Sequence, residues 1–255
     1  MKLCFSDKFI KSCSFLELCN TVQSYEFDGV EIFDAVREKA VHQDSIFHSS
    51  VTVDAKRKLV NRHIEISAIN FPEEICENTD ADKIVKYVNY AIVASVKSVI
   101  LKFAELPNEI KLAEILRPAL SVAENNGIYL LIETAGPFAN TSKVIEVINY
   151  FGSANLNACW NVRETFFTAG ETADFTIQTL GAYICYVRLG DRKAGEDVLI
   201  GEGELPVGEF VNALRSLNYD GYVSVMDSGE ITSADIILTH FRSYMVSKAD
   251  ETVAH

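Results

Sequence analysis

The feature that most constrains the fold is a regular alternation of short β-rich runs with longer amphipathic segments along the whole chain. The β-rich runs predict eight strands, at residues 1–6, 29–33, 64–71, 98–103, 127–135, 156–160, 183–189 and 221–226. Segments with apolar residues every three or four positions predict helices at residues 14–25, 51–63, 79–95, 106–126, 141–151, 171–181, 206–218 and 232–248. Several predicted strands are almost continuously apolar, which is typical of a parallel sheet covered by helices.

Eight β/α units in 255 residues match a (β/α)8 TIM barrel, which typically needs about 250 residues. We therefore predict a single α/β domain, a TIM barrel over residues 1–248. The alternative is a doubly wound open sheet, which normally carries a glycine-rich phosphate turn after its first strand. The segment SDKFIKS at that place has no glycine, which favours the barrel. The polar residues 249–255 are predicted to be a frayed tail or the start of a linker in a larger protein.

Composition narrows the class of partner. The net charge is −13 and no dense run of Lys and Arg occurs, which disfavours binding to a nucleic-acid backbone. The chain has no apolar stretch of 18 residues and no apolar signal-peptide core at its start, which predicts a cytoplasmic protein without a membrane partner. None of the six cysteines forms a CxxC pair, so we interpret them as reduced residues and not as a zinc site. The sequence leaves open whether the chain forms an oligomer.

Charged side chains stand where several of the predicted strands end. In a TIM barrel the carboxyl ends of the strands form the functional face. Glu133 lies inside the apolar run GIYLLIETA, and a glutamate in such a run is rarely buried without a partner. It is either a salt-bridge partner that closes the end of the barrel or a general base or ligand. Arg188 and Asp191 end the seventh strand, and Lys102 ends the fourth.

Several phrases of the chain resemble one known group. They are FDGVEIF, HIEISAINFP, NGIYLLIETAGPFANT and, most specifically, VLIGEGELPVGEFVNALRSLNYDGYVSV. With the order of the elements, they resemble the xylose-isomerase-like TIM-barrel superfamily, and this resemblance covers nearly the whole chain. That group includes sugar-phosphate isomerases and epimerases and barrel-type AP endonucleases. The resemblance implies a TIM barrel with its functional site at the carboxyl ends of the strands.

The resemblance also implies a divalent-metal site, built from Glu, Asp, His and Glu on the fifth to eighth strands. The first ligand position is Glu133. The second falls on Asn161, in a phrase whose histidine has become Glu164, the third on Arg188 and the fourth on Met226. Arginine stays protonated and repels a cation, and methionine is a poor ligand for a hard divalent ion. We therefore predict no metal and no other cofactor.

Two hypotheses about function follow. In the first, the barrel is a metal-free isomerase, epimerase or lyase acting on a small polyol, sugar phosphate or hydroxy acid. Glu133 would be its base and Arg188 its anion anchor; the predicted ligand-binding residues are Lys102, Trp160 as a stacking wall, Asn161, Glu164 and Asp191. In the second, the barrel is a non-catalytic binding or accessory domain in which Arg188 and Glu133 form a neutralising pair. DNA cleavage is disfavoured because the chain lacks clustered histidines and a basic face.

Overall fold

Eight parallel strands close into a barrel in a computed structural model that describes residues 1–10, 14–33, 52–226 and 233–250. The barrel strands are β1 Lys2–Ser6, β2 Gly29–Ile32, β3 Glu65–Asn70, β4 Ser98–Leu101, β5 Tyr129–Glu133, β6 Leu156–Asn161, β7 Ile184–Leu189 and β10 Tyr222–Val225. Each strand pairs with its neighbours in the chain, and β10 closes the ring by pairing with β1. The predicted single (β/α)8 barrel is confirmed.

Helices surround the strands. They are α1 Phe15–Ser24, α2 Thr52–Val60, α3 Ala81–Ala94, α4 Glu109–Asn126, α5 Thr141–Phe151, α6 Val162–Phe167, α7 Ala173–Leu180, α8 Val207–Ser216 and α9 Ala234–Asp250. Local sequence explains their ends: Ser14 and Glu17 form a reciprocal capping box at the start of α1. Gly127 ends α4 in the left-handed conformation that glycine adopts without strain.

The core has two layers because successive side chains of a strand point to opposite faces. The large outer layer fills the space between the strands and the helices. The smaller inner layer fills the barrel itself and consists of Cys4, Ala68, Ile100, Leu131, Cys159 and Tyr186. The polar residues of the barrel mouth lie next to these inner side chains, at the carboxyl ends of the strands.

The structure differs from the predicted elements in three places. A two-stranded antiparallel hairpin, β8 Asp191–Lys193 with β9 Glu196–Val198, follows β7, and the short helix α6 follows β6 directly. Helix α9 includes residues 249 and 250 of the predicted tail. Residues 251–255 lie outside the described part of the chain. No helix among the described residues is long and apolar enough to cross a membrane.

Candidate functional site

Arg188 lies at the centre of the barrel mouth and binds two carboxylates. Its Nη1 is 2.6 Å from Oε2 of Glu133, and its Nη2 donates to Oε1 of Glu31. The same Nη2 lies 2.5 Å from Oδ1 of Asn70. All four side chains are buried, so this ionic cluster is shielded from water. Two carboxylates therefore share one guanidinium, each taking one side of its fork.

Glu31 is the most completely bonded of these groups. Besides Arg188, its carboxylate accepts hydrogen bonds from Nδ2 of Asn70 at 2.6 Å, Oγ of Ser224 at 2.9 Å and the hydroxyl of Tyr186 at 3.1 Å. Burial alone would raise the pKa of this carboxyl. The charge of Arg188 and the hydrogen bonds from Asn70, Arg188 and Ser224 outweigh burial, so the pKa of Glu31 lies below its usual value. Glu31 is thus a fixed anion at neutral pH.

Glu133 is held from its other side by Asn161. Nδ2 of Asn161 donates to Oε1 of Glu133 at 2.8 Å, and Oδ1 of Asn161 accepts from the backbone N–H of Glu164 at 3.1 Å. The second bond caps helix α6, so it fixes which end of the amide faces Glu133. The backbone N–H of Asn161 also donates to Oγ1 of Thr134 at 2.8 Å. An amide suits this place because a carboxylate could not donate to Glu133.

Arg188 remains a cation in these surroundings. Burial disfavours its charge, but Glu133 and Glu31 more than compensate, and the pKa of Arg188 is raised well above its usual range. Among the described residues, no group of three or more His, Cys, Asp and Glu side chains is arranged to hold a metal ion. Glu133 and Asn161 occupy two of the ligand positions expected from the sequence, but the permanent cation Arg188 contacts Glu133, and Oδ1 of Asn161 already accepts from the backbone of Glu164. This set of donors does not fit a divalent metal.

Above the ionic cluster the mouth opens into a cavity of about 580 Å³. Its walls include Asn70, Lys102, Glu133, Asn161, Glu164 and Arg188. A smaller cavity of about 170 Å³ adjoins it and is lined by Ser6, Lys8, Phe33, Ser224 and Met226 together with Arg188. Arg188 and Lys8 line both cavities. The larger volume lies within the range of about 300–1,000 Å³ that is typical of small-molecule sites.

Besides Trp160, four residues were predicted to bind the ligand, and the structure places them in different surroundings. Asn161 contacts Glu133 directly. Lys102 lines the cavity but forms an exposed ion pair with Glu74 at 2.5 Å. Glu164 also lines the cavity, and its carboxylate accepts from Arg192 at 3.2 Å. Asp191 is buried beneath the loop after the β8–β9 hairpin and does not line either cavity.

Asp191 organises that loop. Its carboxylate accepts the backbone N–H groups of Gly201 and Gly203 at 3.0 Å and of Leu205 at 2.9 Å. A side chain at Gly203 would collide with Asp191, which explains the second glycine of the GEGE phrase. The predicted ligand-binding position is therefore a support for the loop.

Trp160 is not part of the mouth. It is fully buried in the outer layer, where Nε1 donates to Oγ1 of Thr165 at 3.0 Å and the indole packs 5.5 Å from the ring of Phe210. The physical reason is strand alternation: Asn161 points into the barrel, so its neighbour Trp160 points out. The stacking wall predicted at Trp160 does not lie in the cavity.

The sequence placed Glu31 and Asn70 near strand ends but assigned no role to them, and it did not indicate Lys8. Glu31 had a signal like that of Glu133, an acid inside the apolar run GVEIF. Its contact with Arg188 joins residues 157 positions apart.

The two thiols inside the barrel are not nucleophiles. Burial, with a smaller contribution from Glu31, raises the pKa of Cys4 to about 12, and its Sγ lies 3.1 Å from the hydroxyl of Tyr186. Burial also raises the pKa of Cys159 well above its usual value. Because only the thiolate attacks, both groups are inert at neutral pH.

Comparison with known proteins agrees with this architecture. The family model described as the xylose isomerase-like TIM barrel matches residues 19–239. The chain belongs to this family. A curated relative, the uncharacterized protein MJ1311 of Methanocaldococcus jannaschii, is 27% identical over 119 residues, which are 43% of this chain and 40% of that protein. The chain thus matches less than half the length of this relative.

Solved structures show the same family fold. The IolI protein, whose structure has a binding zinc atom, superposes with a TM-score of 0.79 at 18% identity, over 98% of this chain and 99% of that one. The 3-keto-D-glucoside 4-epimerase YcjR of E. coli superposes with a TM-score of 0.78 at 13% identity, over 98% and 99% of the two chains. At these identities the likeness concerns the fold alone.

Proposed function

We propose that this chain is a metal-free member of its family that binds a small polyhydroxylated or anionic molecule in the barrel mouth without metal-dependent isomerisation. The observation that carries the proposal is the position of Arg188, whose guanidinium is bound between Glu31 and Glu133 at the floor of the cavity. Cavity size and polar lining support a sugar-like or hydroxy-acid ligand, and structural neighbours include an enzyme named as an epimerase of a keto-glucoside.

Electrostatics support the metal-free state. Two unit charges 4 Å apart near a protein surface interact by about 4 kcal/mol, so a divalent ion at that distance from Arg188 would be repelled by about 8 kcal/mol. Arg188 also neutralises the carboxylate of Glu133, the one acidic ligand retained from the expected set. A metal ion at this place would therefore be attracted by fewer negative charges than in the expected ligand set, and it would be repelled by the added positive charge of Arg188.

A second candidate is metal-free proton transfer by Glu133. Glu133 lines the larger cavity, and its buried Oε2 accepts no well-aligned hydrogen bond from the described residues. Glu133 would remove the proton from a hydroxyl-bearing carbon beside a ligand carbonyl and return it to the former carbonyl carbon, while the hydroxyl proton moves to the former carbonyl oxygen. Arg188 would stabilise the enolate oxygen in between. The tight contact of Oε2 with Arg188 at 2.6 Å makes binding without turnover the better supported function.

Metal analysis and a ligand screen test the proposal. The purified protein should contain far less than one divalent ion per chain, measured by inductively coupled plasma mass spectrometry. A calorimetric screen of polyols, ketoses and hydroxy acids should find binding that EDTA does not change. A stoichiometric metal with EDTA-sensitive binding would overturn the proposal.

Glu133→Gln separates the two candidates. Each ligand found is incubated with enzyme in deuterated water, and deuterium incorporation is followed by NMR. Incorporation by the wild type that disappears in Glu133→Gln establishes proton transfer; no incorporation by the wild type leaves binding as the function. Lys111→Met, on an exposed ion pair with Glu114, serves as the surface control.

A further inference from the structure

We infer that Lys8 is an anion-recognition subsite of the mouth, which takes the carboxylate or phosphate group of a polyhydroxylated ligand. The inference rests on the proposed binding function and adds the class of group that the ligand carries. It assigns the anion to Lys8 in place of Arg188, which already contacts the carboxylates of Glu31 and Glu133.

The position of Lys8 is set by the turn that follows β1. Residues Asp7–Phe9 form a single 3-10 turn, and Oγ of Ser6 accepts the backbone N–H of Lys8 at 3.2 Å. The buried Asp7 joins this turn to the end of β2, because its Oδ1 accepts the backbone N–H of Phe33 at 2.9 Å. The ammonium of Lys8 consequently lies 3.0 Å from the centre of the Phe33 ring, at the junction of the two cavities.

Lys8 differs from the other cations of the mouth in its partners. Arg188 is bound to two carboxylates, Lys102 to Glu74, and Arg163 lies 2.9 Å from Asp197. Within the described ranges of the chain, the ammonium of Lys8 has neither a hydrogen bond nor an ion pair. Among the described cations that line the mouth, Lys8 is therefore the one whose charge can meet a ligand without breaking an ion pair.

The surroundings of Lys8 favour an anion in the space beside it. Partial burial lowers the pKa of Lys8, and the positive charges of Arg188 and Lys102 lower it further. The negative charges of Asp7 and Glu31 raise this pKa, but their effect is smaller. A bound anion would relieve this repulsion and satisfy the three donors of the ammonium. The ring of Phe33 attracts the ammonium through its π face and holds it over the cavity before the ligand arrives.

The test compares matched neutral and anionic ligands by isothermal titration calorimetry. Xylitol is paired with D-xylonate for the carboxylate, and D-ribulose with D-ribulose 5-phosphate for the phosphate. We expect the wild type to bind at least one anionic compound at least tenfold more tightly than its neutral partner. The pair that shows this preference identifies the anion.

Lys8→Met should abolish that preference, because its affinity for the anionic compound should fall at least tenfold more than its affinity for the neutral partner. Lys8 is only partly buried, so the variant should fold. Lys111→Met makes the same change in net charge at a surface ion pair and should keep the preference. Equal binding of neutral and anionic compounds by the wild type, or a preference that survives in Lys8→Met, overturns the role of Lys8 while the proposed function stands. No binding of any of the four compounds overturns both.

Discussion

Replacing Arg188 with Met tests the central ion cluster most directly. The substitution keeps an aliphatic chain of similar length but removes the guanidinium that Glu31 and Glu133 share. Removing one partner of a buried ion pair costs about 3–5 kcal/mol, because the other charge is left buried and uncompensated. In a domain of this size each kcal/mol shifts the melting temperature by about 2–4 °C, so we expect a fall of about 10 °C.

Differential scanning calorimetry at one fixed scan rate measures this shift. Arg192→Met is the matched control, since Arg192 also contacts two carboxylates, those of Asp197 and Glu164, but its side chain is 25% exposed. Ion pairs open to water contribute at most about 1 kcal/mol, or roughly 3 °C here. A loss in Arg188→Met no larger than that in Arg192→Met would refute the buried cluster.

A triple variant distinguishes charge from shape. Adding Glu31→Gln and Glu133→Gln to Arg188→Met removes all three charges, and we expect at least half of the lost melting temperature to return. If the triple variant is less stable than Arg188→Met alone, packing of the guanidinium and not its charge explains the loss.

Three further predictions concern acid, the loop and the metal. Folding lowers the pKa of Glu31, so its contribution to wild-type stability is complete above the unfolded pKa of 4.5 and is lost as the pH falls below that value. In Arg188→Met, protonation of the uncompensated carboxylates relieves their repulsion as the pH falls. The unfolding curves of the two proteins should therefore converge between pH 7 and pH 4.5. Gly203→Ala should lower the melting temperature by several degrees through collision with Asp191, whereas Gly208→Ala, in α8 with open space around it, should leave it unchanged or raise it slightly; equal effects in calorimetry would contradict the role of Asp191. The combined variant Asn161→Asp, Arg188→His and Met226→Glu should bind about one equivalent of Zn²⁺ or Mn²⁺ per chain in equilibrium dialysis. The wild type and Met226→Glu alone should bind neither metal. Metal binding by the wild type would contradict this reasoning.

Local sequence predicted the elements well because strands and helices depend on short-range patterns. The alternation of β-rich and amphipathic runs identified every barrel strand, and capping residues such as Ser14 and Gly127 set helix ends through contacts within a few positions. The hairpin β8–β9 was not predicted, because its three-residue strands are too short to show a period.

The site was predicted in part. A pair between Arg188 and Glu133 was one of two hypotheses, proposed because both residues fall at expected metal-ligand positions, and the structure places them in contact. Trp160 and Asp191 were placed in the mouth by position alone. Strand alternation turns Trp160 outward. Asp191 lies beneath a neighbouring loop because the backbone N–H groups of that loop donate hydrogen bonds to its carboxylate.

The sequence by itself determined a TIM barrel and the kinds of charge at its mouth, including an arginine where a metal ligand was expected. Only the tertiary structure decided which charges neutralise one another. Closure of the barrel brings β2 beside β3 and across from β7, so Glu31 and Asn70 reach Arg188, which therefore binds two carboxylates and not one. Strand pairing distant in the chain sets these contacts, and a single sequence carries no local signal of that register.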